Sequence, residues 1–303
     1  MKKNKKYLSF IMLFVILLVF YFALIFNYNK QYSINIEDAK NEIIRCNQIL
    51  ELNKESDERE YCEWKILTDP EQKPDATYIF FEIMLLGKGV KMIHFLLPLL
   101  ILFCSLLNIS KYFKNGYLKN IYLRTDYYNF IKKERLRTYL LGLIIPAISV
   151  LVFLTVFVIF GNFDYKYSMA NYDYIIELTF FENFWFNIII YLLIPILHFM
   201  FIINIGFLMI KKNNNIILST VYSFLIYMCL WLFSEGVIGQ ILLKRILNIT
   251  SFVEYFNFQS FWSMNGIKYP ILLLFINFIF FSVTAFMINK SYSNKESVMI
   301  ANE

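Results

Sequence analysis

Six long apolar segments limit what this sequence can fold into. They are Tyr7–Phe26, Ile93–Ile109, Tyr139–Phe160, Phe184–Ile210, Ile216–Val237 and Pro270–Ile288. A helix rises about 1.5 Å per residue, so each segment can cross a bilayer core of about 30 Å. The chain is 58% hydrophobic, more than a soluble domain of this size can bury. The sequence therefore predicts an all-α integral membrane protein with six transmembrane helices.

The first apolar segment follows Lys2, Lys3, Lys5 and Lys6, as the apolar part of a cleaved signal peptide would. Its apolar stretch is longer than that of a signal peptide, and no small-x-small cleavage site follows Phe26. We therefore expect it to remain as a membrane anchor.

The positions of Lys and Arg predict the orientation of the spans. Four lysines precede span 1, eight basic residues lie in Ser110–Thr138, and further lysines follow spans 4 and 6. The opposite segment Asn162–Asn183 is acidic. We expect the basic segments and both termini to lie in the cytoplasm of a bacterial cell, with the spans in its cytoplasmic membrane. Because these charges flank apolar segments, the net charge of +6 does not indicate a nucleic-acid partner.

This topology divides the chain into three parts. Residues 1–26 form a tail and span 1, and residues 27–92 form a small extracytoplasmic segment. Residues 93–303 form a five-span membrane domain with a cytoplasmic segment at 110–138 and an outer interfacial segment at 238–269. In the extracytoplasmic segment, Asn35 is predicted to cap a new helix, and the alternation over Thr77–Ile83 is typical of a short strand.

Cys46 and Cys62 both lie in the extracytoplasmic segment. A disulfide persists in an oxidising compartment, so the two cysteines are a candidate pair. The alternative is a buried Cys46 on an apolar helix face and an unrelated Cys62, because sequence alone does not show that the geometry permits a bond. Cys104 and Cys229 lie in spans, where cysteine commonly packs as a small apolar residue.

The segment 238–269 is too polar for a span but is rich in Phe, Tyr and Trp. This composition suits short helices that lie in the outer interface or dip into it. An aromatic belt at the membrane surface explains it nearly as well.

Recognisable catalytic motifs are missing from the sequence. There is no phosphate-binding loop, no nucleophile elbow and no H-E-x-x-H pair. His94 and His198 are too few for a multi-histidine metal site; His94 is expected at the interface, and His198 is either a packing residue or a functional one. Glu235 is a candidate proton relay near the outer surface. We predict no enzyme activity and no cofactor.

Three successive spans each contain one proline: Pro98, Pro146 and Pro195. Proline kinks a helix, which suits a bundle that moves between states. Membrane helices tolerate proline for other reasons as well, so these residues only weakly favour a transporter.

The stretch Lys111–Tyr139 reads KYFKNGYLKNIYLRTDYYNFIKKERLRTY and begins directly after span 2. Gly116 breaks the incoming helix, and the residues after it combine apolar and basic side chains. This pattern predicts a short amphipathic helix under the membrane. An ordinary basic loop is the alternative.

This stretch resembles the permease subunits of type-2 ABC exporters, including those of antibiotic-peptide efflux and immunity. In that family the element between spans 2 and 3 reads approximately N-G-x-x-K-N, followed by an apolar pair and a later basic residue. The matching residues, which the resemblance implies couple the permease to its ATPase, are Asn115, Gly116, Leu118, Lys119, Asn120, Ile121 and Arg124. Lys132 or Lys133 matches the later basic residue, whereas Lys111 and Lys114 stand where the family has an acidic one.

The resemblance implies a permease that performs no chemistry and works with a separate ABC ATPase subunit. It also implies a second permease copy, identical or related, and contact with membrane lipids. The cargo could be a peptide, a lipid-like compound or a drug. The alternatives are a membrane immunity or sensor protein that acts by binding alone, and an intramembrane enzyme, which would need a polar catalytic cluster at one membrane depth.

Overall fold

The secondary structure of the described residues is helical. In the computed structural model these residues are 8–51, 62–63, 76–81, 83–84, 88–114, 127–161, 183–213, 215–263, 267 and 269–293. No strand occurs in these ranges. The α-helices are α1 (Leu8–Glu51), α2 (Ala76–Phe81), α3 (Lys88–Lys114), α4 (Tyr127–Tyr139), α5 (Ile144–Phe160), α6 (Phe184–Lys212), α7 (Ile216–Leu232), α8 (Ser260–Ser263) and α9 (Pro270–Ser293).

Segments of 3-10 and π-helix complete the fold. A 3-10 turn, Leu140–Leu143, joins α4 to α5, and a π-helical segment, Phe233–Ile246, extends α7. A second 3-10 segment covers Thr250–Phe256. The break before α5 has a local cause, because Pro146 has no backbone N–H to donate to the carbonyl of Gly142 four residues earlier.

The six predicted spans are confirmed as helices. Six helical stretches are long and apolar enough to cross a membrane: Ile11–Leu50, Val90–Leu107, Tyr128–Phe160, Trp185–Lys212, Ile216–Ile246 and Pro270–Tyr292. Each overlaps one predicted segment. The chain is therefore a multi-pass membrane protein by the length and composition of its helices.

The first helix is longer than predicted. It runs for 44 residues, or about 66 Å at the usual rise, which is roughly twice the thickness of a bilayer core. The prediction that Asn35 caps a separate helix is wrong, because Asn35 lies inside α1. No proline or glycine stands between Phe26 and Glu51 to end the helix, so it continues past the apolar segment.

The predicted strand over Thr77–Ile83 is also wrong, because Ala76–Phe81 is the helix α2. Thr77, Ile79, Phe80 and Phe81 are all buried, so burial is not confined to one face. The Phe80 ring meets that of Phe153 edge to face at 5.5 Å between centroids. Helix α2 therefore packs against α5, where a short helix satisfies its own backbone better than an isolated strand.

Helix α6 lies at the centre of the bundle and packs against α3, α7 and α9. Its second half is almost wholly buried, from Phe201 to Phe207. Gly206 allows α3 to approach closely, since an added Cβ would lie 3.1 Å from Cδ2 of Leu102. Helix α1 packs at the side of the bundle through a stripe at four-residue spacing: Leu13, Leu17, Tyr21 and Ile25. The core is therefore built around one central helix.

Candidate functional site

A network of buried, hydrogen-bonded polar groups crosses the bundle at the middle of α6. Nδ1 of His198 lies 3.3 Å from Oδ1 of Asn277 on α9, and Nε2 lies 3.0 Å from the hydroxyl of Tyr227 on α7. An amide oxygen can only accept a hydrogen bond, so Nδ1–H donates to Asn277 and Nε2 accepts the proton of Tyr227. Asn277 in turn donates to the carbonyl of Ile194 at 2.7 Å. This network therefore links three spans, α6, α7 and α9.

Aromatic rings enclose His198 on several sides. The centroids of five rings lie 4.8–5.7 Å from that of the imidazole, and the rings belong to Phe201, Tyr227, Phe258, Phe261 and Trp262. His198 has no exposed surface. Three of the five rings come from the connection between α7 and α9 rather than from a span. We call Thr250–Ser263, which lies within this connection, the inserted segment.

The inserted segment reaches the level of His198 inside the bundle. Tyr255, Phe258 and Phe261 on it are fully buried. Ser234 donates to the carbonyl of Phe256 at 2.8 Å, and the hydroxyl of Tyr255 accepts the backbone N–H of Tyr269 at 2.6 Å. Irregular backbone is tolerated at membrane depth where protein covers it. These rings therefore pack inside the bundle rather than on its surface, and the depth of the segment in the membrane stays a prediction.

Trp262 connects the two histidines of the chain. Its indole lies stacked near the ring of His94 on α3, at 6.4 Å and 30° between planes, and it meets His198 edge to face at 5.0 Å. His94 is buried. His94 is therefore covered by the inserted segment, and its expected position at the level of the membrane interface stays a prediction.

A second set of polar contacts joins α6 and α9 one to two turns further along. Asn204 donates from Nδ2 to Oγ1 of Thr284 at 3.1 Å, and its Oδ1 accepts the hydroxyl proton of Tyr139 at the end of α4. Arg135, also on α4, donates to Oδ1 of Asn289 at 3.1 Å. Helix α4 is therefore tied to both α6 and α9.

A third set lies at the ends of α6 and α9. Lys211 donates to the backbone carbonyl of Ser291 and lies 3.2 Å from its hydroxyl. The hydroxyl of Tyr292 donates to the carbonyl of Phe207 at 2.6 Å, and the ammonium of Lys211 lies 5.3 Å from the centre of the Tyr292 ring. Across the three sets the residue numbers rise together on both helices. Helices α6 and α9 are therefore parallel, as alternate spans of one bundle are.

The three sets can hold helices in register, but they do not form a recognisable reaction centre. Within the described ranges, no three His, Cys, Asp or Glu residues are grouped so that they could hold a metal ion. The described groups around His198 are the amide of Asn277, the phenol of Tyr227 and further aromatic rings, and no carboxylate is among them. An interhelical hydrogen bond in a membrane protein contributes about 0.6 kcal/mol on average, so each contact is modest and the three sets act together on α4, α6, α7 and α9.

The seven residues that the family resemblance implies for ATPase coupling lie outside the described residues, which end at Lys114 and begin again at Tyr127.

Cys46 and Cys62 form a disulfide with a Cα–Cα distance of 5.0 Å. Cys104 is buried, and Cys229 is exposed on the surface of α7.

Glu235 has a partner on its own helix. Nε1 of Trp231 donates to its carboxylate at 2.7 Å. The two residues are four apart, which places them on the same face of the helix. This contact does not link Glu235 to either histidine.

Four residues of these contacts were not predicted from the sequence: Tyr139, Asn204, Tyr227 and Asn277. The two asparagines carried a signal, because an amide inside an apolar span is costly to bury unless it is hydrogen-bonded. The tyrosines carried none, since they are 2 of 22 in the chain and look like the rest.

Comparison with sequence profiles of protein families, with curated proteins and with solved structures finds no match.

Proposed function

We propose that this chain is the membrane-spanning permease subunit of an ATP-driven ABC exporter. It works with a separate ATPase subunit and moves a peptide, lipid-like compound or drug across the bacterial cytoplasmic membrane. The observation that carries the proposal is the attachment of α4 to the bundle. This helix directly follows the segment that resembles a coupling element, and it is joined to three spans.

The attachment has two parts. Along the chain, α4 leads into α5 through the short turn Leu140–Leu143. Across the bundle, Arg135 and Tyr139 on α4 hydrogen-bond to Asn289 on α9 and Asn204 on α6. The guanidinium of Arg135 also lies 5.8 Å from the centre of the Tyr139 ring. A displacement of α4 is therefore passed to α5, α6 and α9 together.

Residues 115–126 join α3 to α4, so a push on them acts on α3 as well. The apolar side chains of Leu118 and Ile121 would fill a groove on the ATPase, while Lys119 and Arg124 meet acidic groups at its rim. By the family resemblance, two permeases enclose the path and two ATPases dock beneath it. The orientation that places residues 115–126 in the cytoplasm belongs to this proposal.

Co-purification from the native host tests the proposal. The unmutated chain, affinity-tagged, is expected to bring down a protein with a P-loop sequence, and cargo should stimulate its ATP hydrolysis. The double variant Leu118→Asp with Ile121→Asp should still insert in the membrane but lose both the ATPase and the stimulated hydrolysis.

The matched control is Leu247→Asp with Ile249→Asp, two exposed apolar residues beside the inserted segment. This pair should leave ATPase binding unchanged. If the double variant at 118 and 121 retains the ATPase and its stimulation, the coupling assignment is wrong. If the unmutated chain brings down no ATPase, the permease proposal fails and an immunity or sensor protein that acts by binding replaces it.

A further inference from the structure

A cleft of about 780 Å³ opens between α7 and α9, with α6 as its floor. Its walls are apolar, with Ile226 and Leu230 on α7 and Val283 and Met287 on α9. These four side chains are half-buried or exposed. The cleft therefore opens sideways, towards the space that lipid occupies around a membrane helix.

The length of the cleft corresponds to one leaflet. Along α6 it runs from Phe201 to Lys212, which is about 16 Å at the usual helical rise. Half of a bilayer core is about 15 Å. One acyl chain of a membrane lipid, extended along α6, would therefore occupy the cleft from the middle of the membrane to its surface.

Charge is confined to one end of the cleft. Lys211 and Lys212 lie there with Ser291, and no acidic residue is among the described residues that line it. Both lysines are on α6. Lys212 is exposed, whereas Lys211 is buried against the end of α9. A phosphate at this end would contact the Lys212 ammonium and lie in the field of Lys211, at the depth where lipid headgroups begin.

A second groove in the same bundle lacks this feature. It measures about 510 Å³, lies between α5 and α6, and is lined by apolar and aromatic residues with Ser149 and no charged side chain. Lipid chains can occupy it as well, but nothing in its lining distinguishes one headgroup from another. Of these two grooves between described helices, the α7–α9 cleft is the one that combines an apolar wall with cations at its end.

We propose that the α7–α9 cleft binds one anionic glycerophospholipid, with an acyl chain along α6 and the phosphate at Lys212 and Lys211. The site does not depend on the proposed transport function. It would bind a lipid whether that lipid is cargo, regulator or a permanent part of the fold.

Native mass spectrometry of the full chain in detergent tests the site. The probes are dioleoylphosphatidylglycerol, which is anionic, and dioleoylphosphatidylcholine, which has the same chains and no net charge. We expect one phosphatidylglycerol per chain to be retained at least fivefold more than phosphatidylcholine. Lys212→Gln should abolish this preference, and Lys212→Arg should keep it. Lys133→Gln removes the same charge from α4, outside the cleft, and should have no effect.

The acyl chain is tested separately. Val283→Phe places an aromatic ring in the path of the acyl chain and should remove the retained phosphatidylglycerol, whereas Val150→Phe, in the other groove, should leave it in place. Equal retention of the two lipids by the unmutated chain would overturn the proposal, as would a preference that survives Lys212→Gln or Val283→Phe. If a second copy of the chain fills the cleft instead, the spectrum will show a dimer that Val283→Phe converts to monomer, without preference between the lipids, and the lipid proposal will be wrong.

Discussion

Nδ1 of His198 lies 3.3 Å from Oδ1 of Asn277, and neither residue has any exposed surface. One residue belongs to the central helix α6 and the other to α9. The contact therefore satisfies two buried polar groups that would be costly to leave unpaired, and it does so across a helix–helix interface.

A double-mutant cycle should measure this contact. His198→Leu, Asn277→Leu and the double variant are compared by equilibrium unfolding in mixed detergent. Each single variant leaves a buried polar group without its partner, so each should lose about 1–3 kcal/mol of stability. The coupling energy between the two should be about 0.5–2 kcal/mol. Asn29→Leu, at an exposed position on α1, serves as the control. Fully additive losses would show that the contact contributes nothing.

Gly206 sets the distance between α3 and α6. An added Cβ would lie 3.1 Å from Cδ2 of Leu102 and 3.3 Å from Cδ2 of Leu106. Gly206→Val should therefore lower the free energy of unfolding by about 1–3 kcal/mol through overpacking. Gly236→Val is the matched control, since an added Cβ there meets nothing within 4 Å. Thermal unfolding in detergent measures both, and an equal effect at the two positions would contradict close packing of α3 on α6.

The predicted topology is tested by labelling single cysteines in intact cells. In a background without native cysteines, Lys119→Cys and Asn213→Cys should be protected from a membrane-impermeant thiol reagent, and Asp57→Cys should react. Permeabilised cells give the control, because all three should then be labelled. Reaction at position 119 in sealed cells would overturn the arrangement with cytoplasmic termini.

The disulfide is tested by peptide mapping. The Cα–Cα distance of 5.0 Å between Cys46 and Cys62 lies in the range that a bridge spans. A non-reducing digest should yield a linked peptide pair that separates on reduction. Cys104 and Cys229, which are not bonded, should react with an alkylating reagent in the denatured chain without reductant and so provide the control. Alkylation of Cys46 and Cys62 under those conditions would remove the disulfide.

The six spans could be predicted because each is a continuous local signal. Hydropathy over about 20 residues decides whether a helix enters lipid, and the neighbours of that helix do not change the answer. The end of α1 was mispredicted for the opposite reason. Asn35 has the chemistry of a helix cap, but nothing before it interrupts the helix, and the intrinsic preference for a cap is worth only about 1 kcal/mol.

The candidate site could not be assembled from sequence because it depends on register between distant helices. His198 is 29 residues from its partner Tyr227 and 79 residues from its partner Asn277. The period of one helix gives the face on which a residue lies but not the residue opposite. The inserted segment poses the same difficulty, since Phe and Trp are equally suited to a membrane surface and to a protein interior.

The inserted segment also constrains how the chain is made. Its backbone is not a regular α-helix over Thr250–Phe256, and one of its aromatic side chains, Phe258, packs against Phe280 on α9 at 5.3 Å between ring centroids. Helix α9 is synthesised after this segment. The segment can therefore complete its packing only after α9 has been made, because Phe280 covers part of it. Packing of this segment therefore runs against the order of synthesis, because an earlier part of the chain is completed by a later helix.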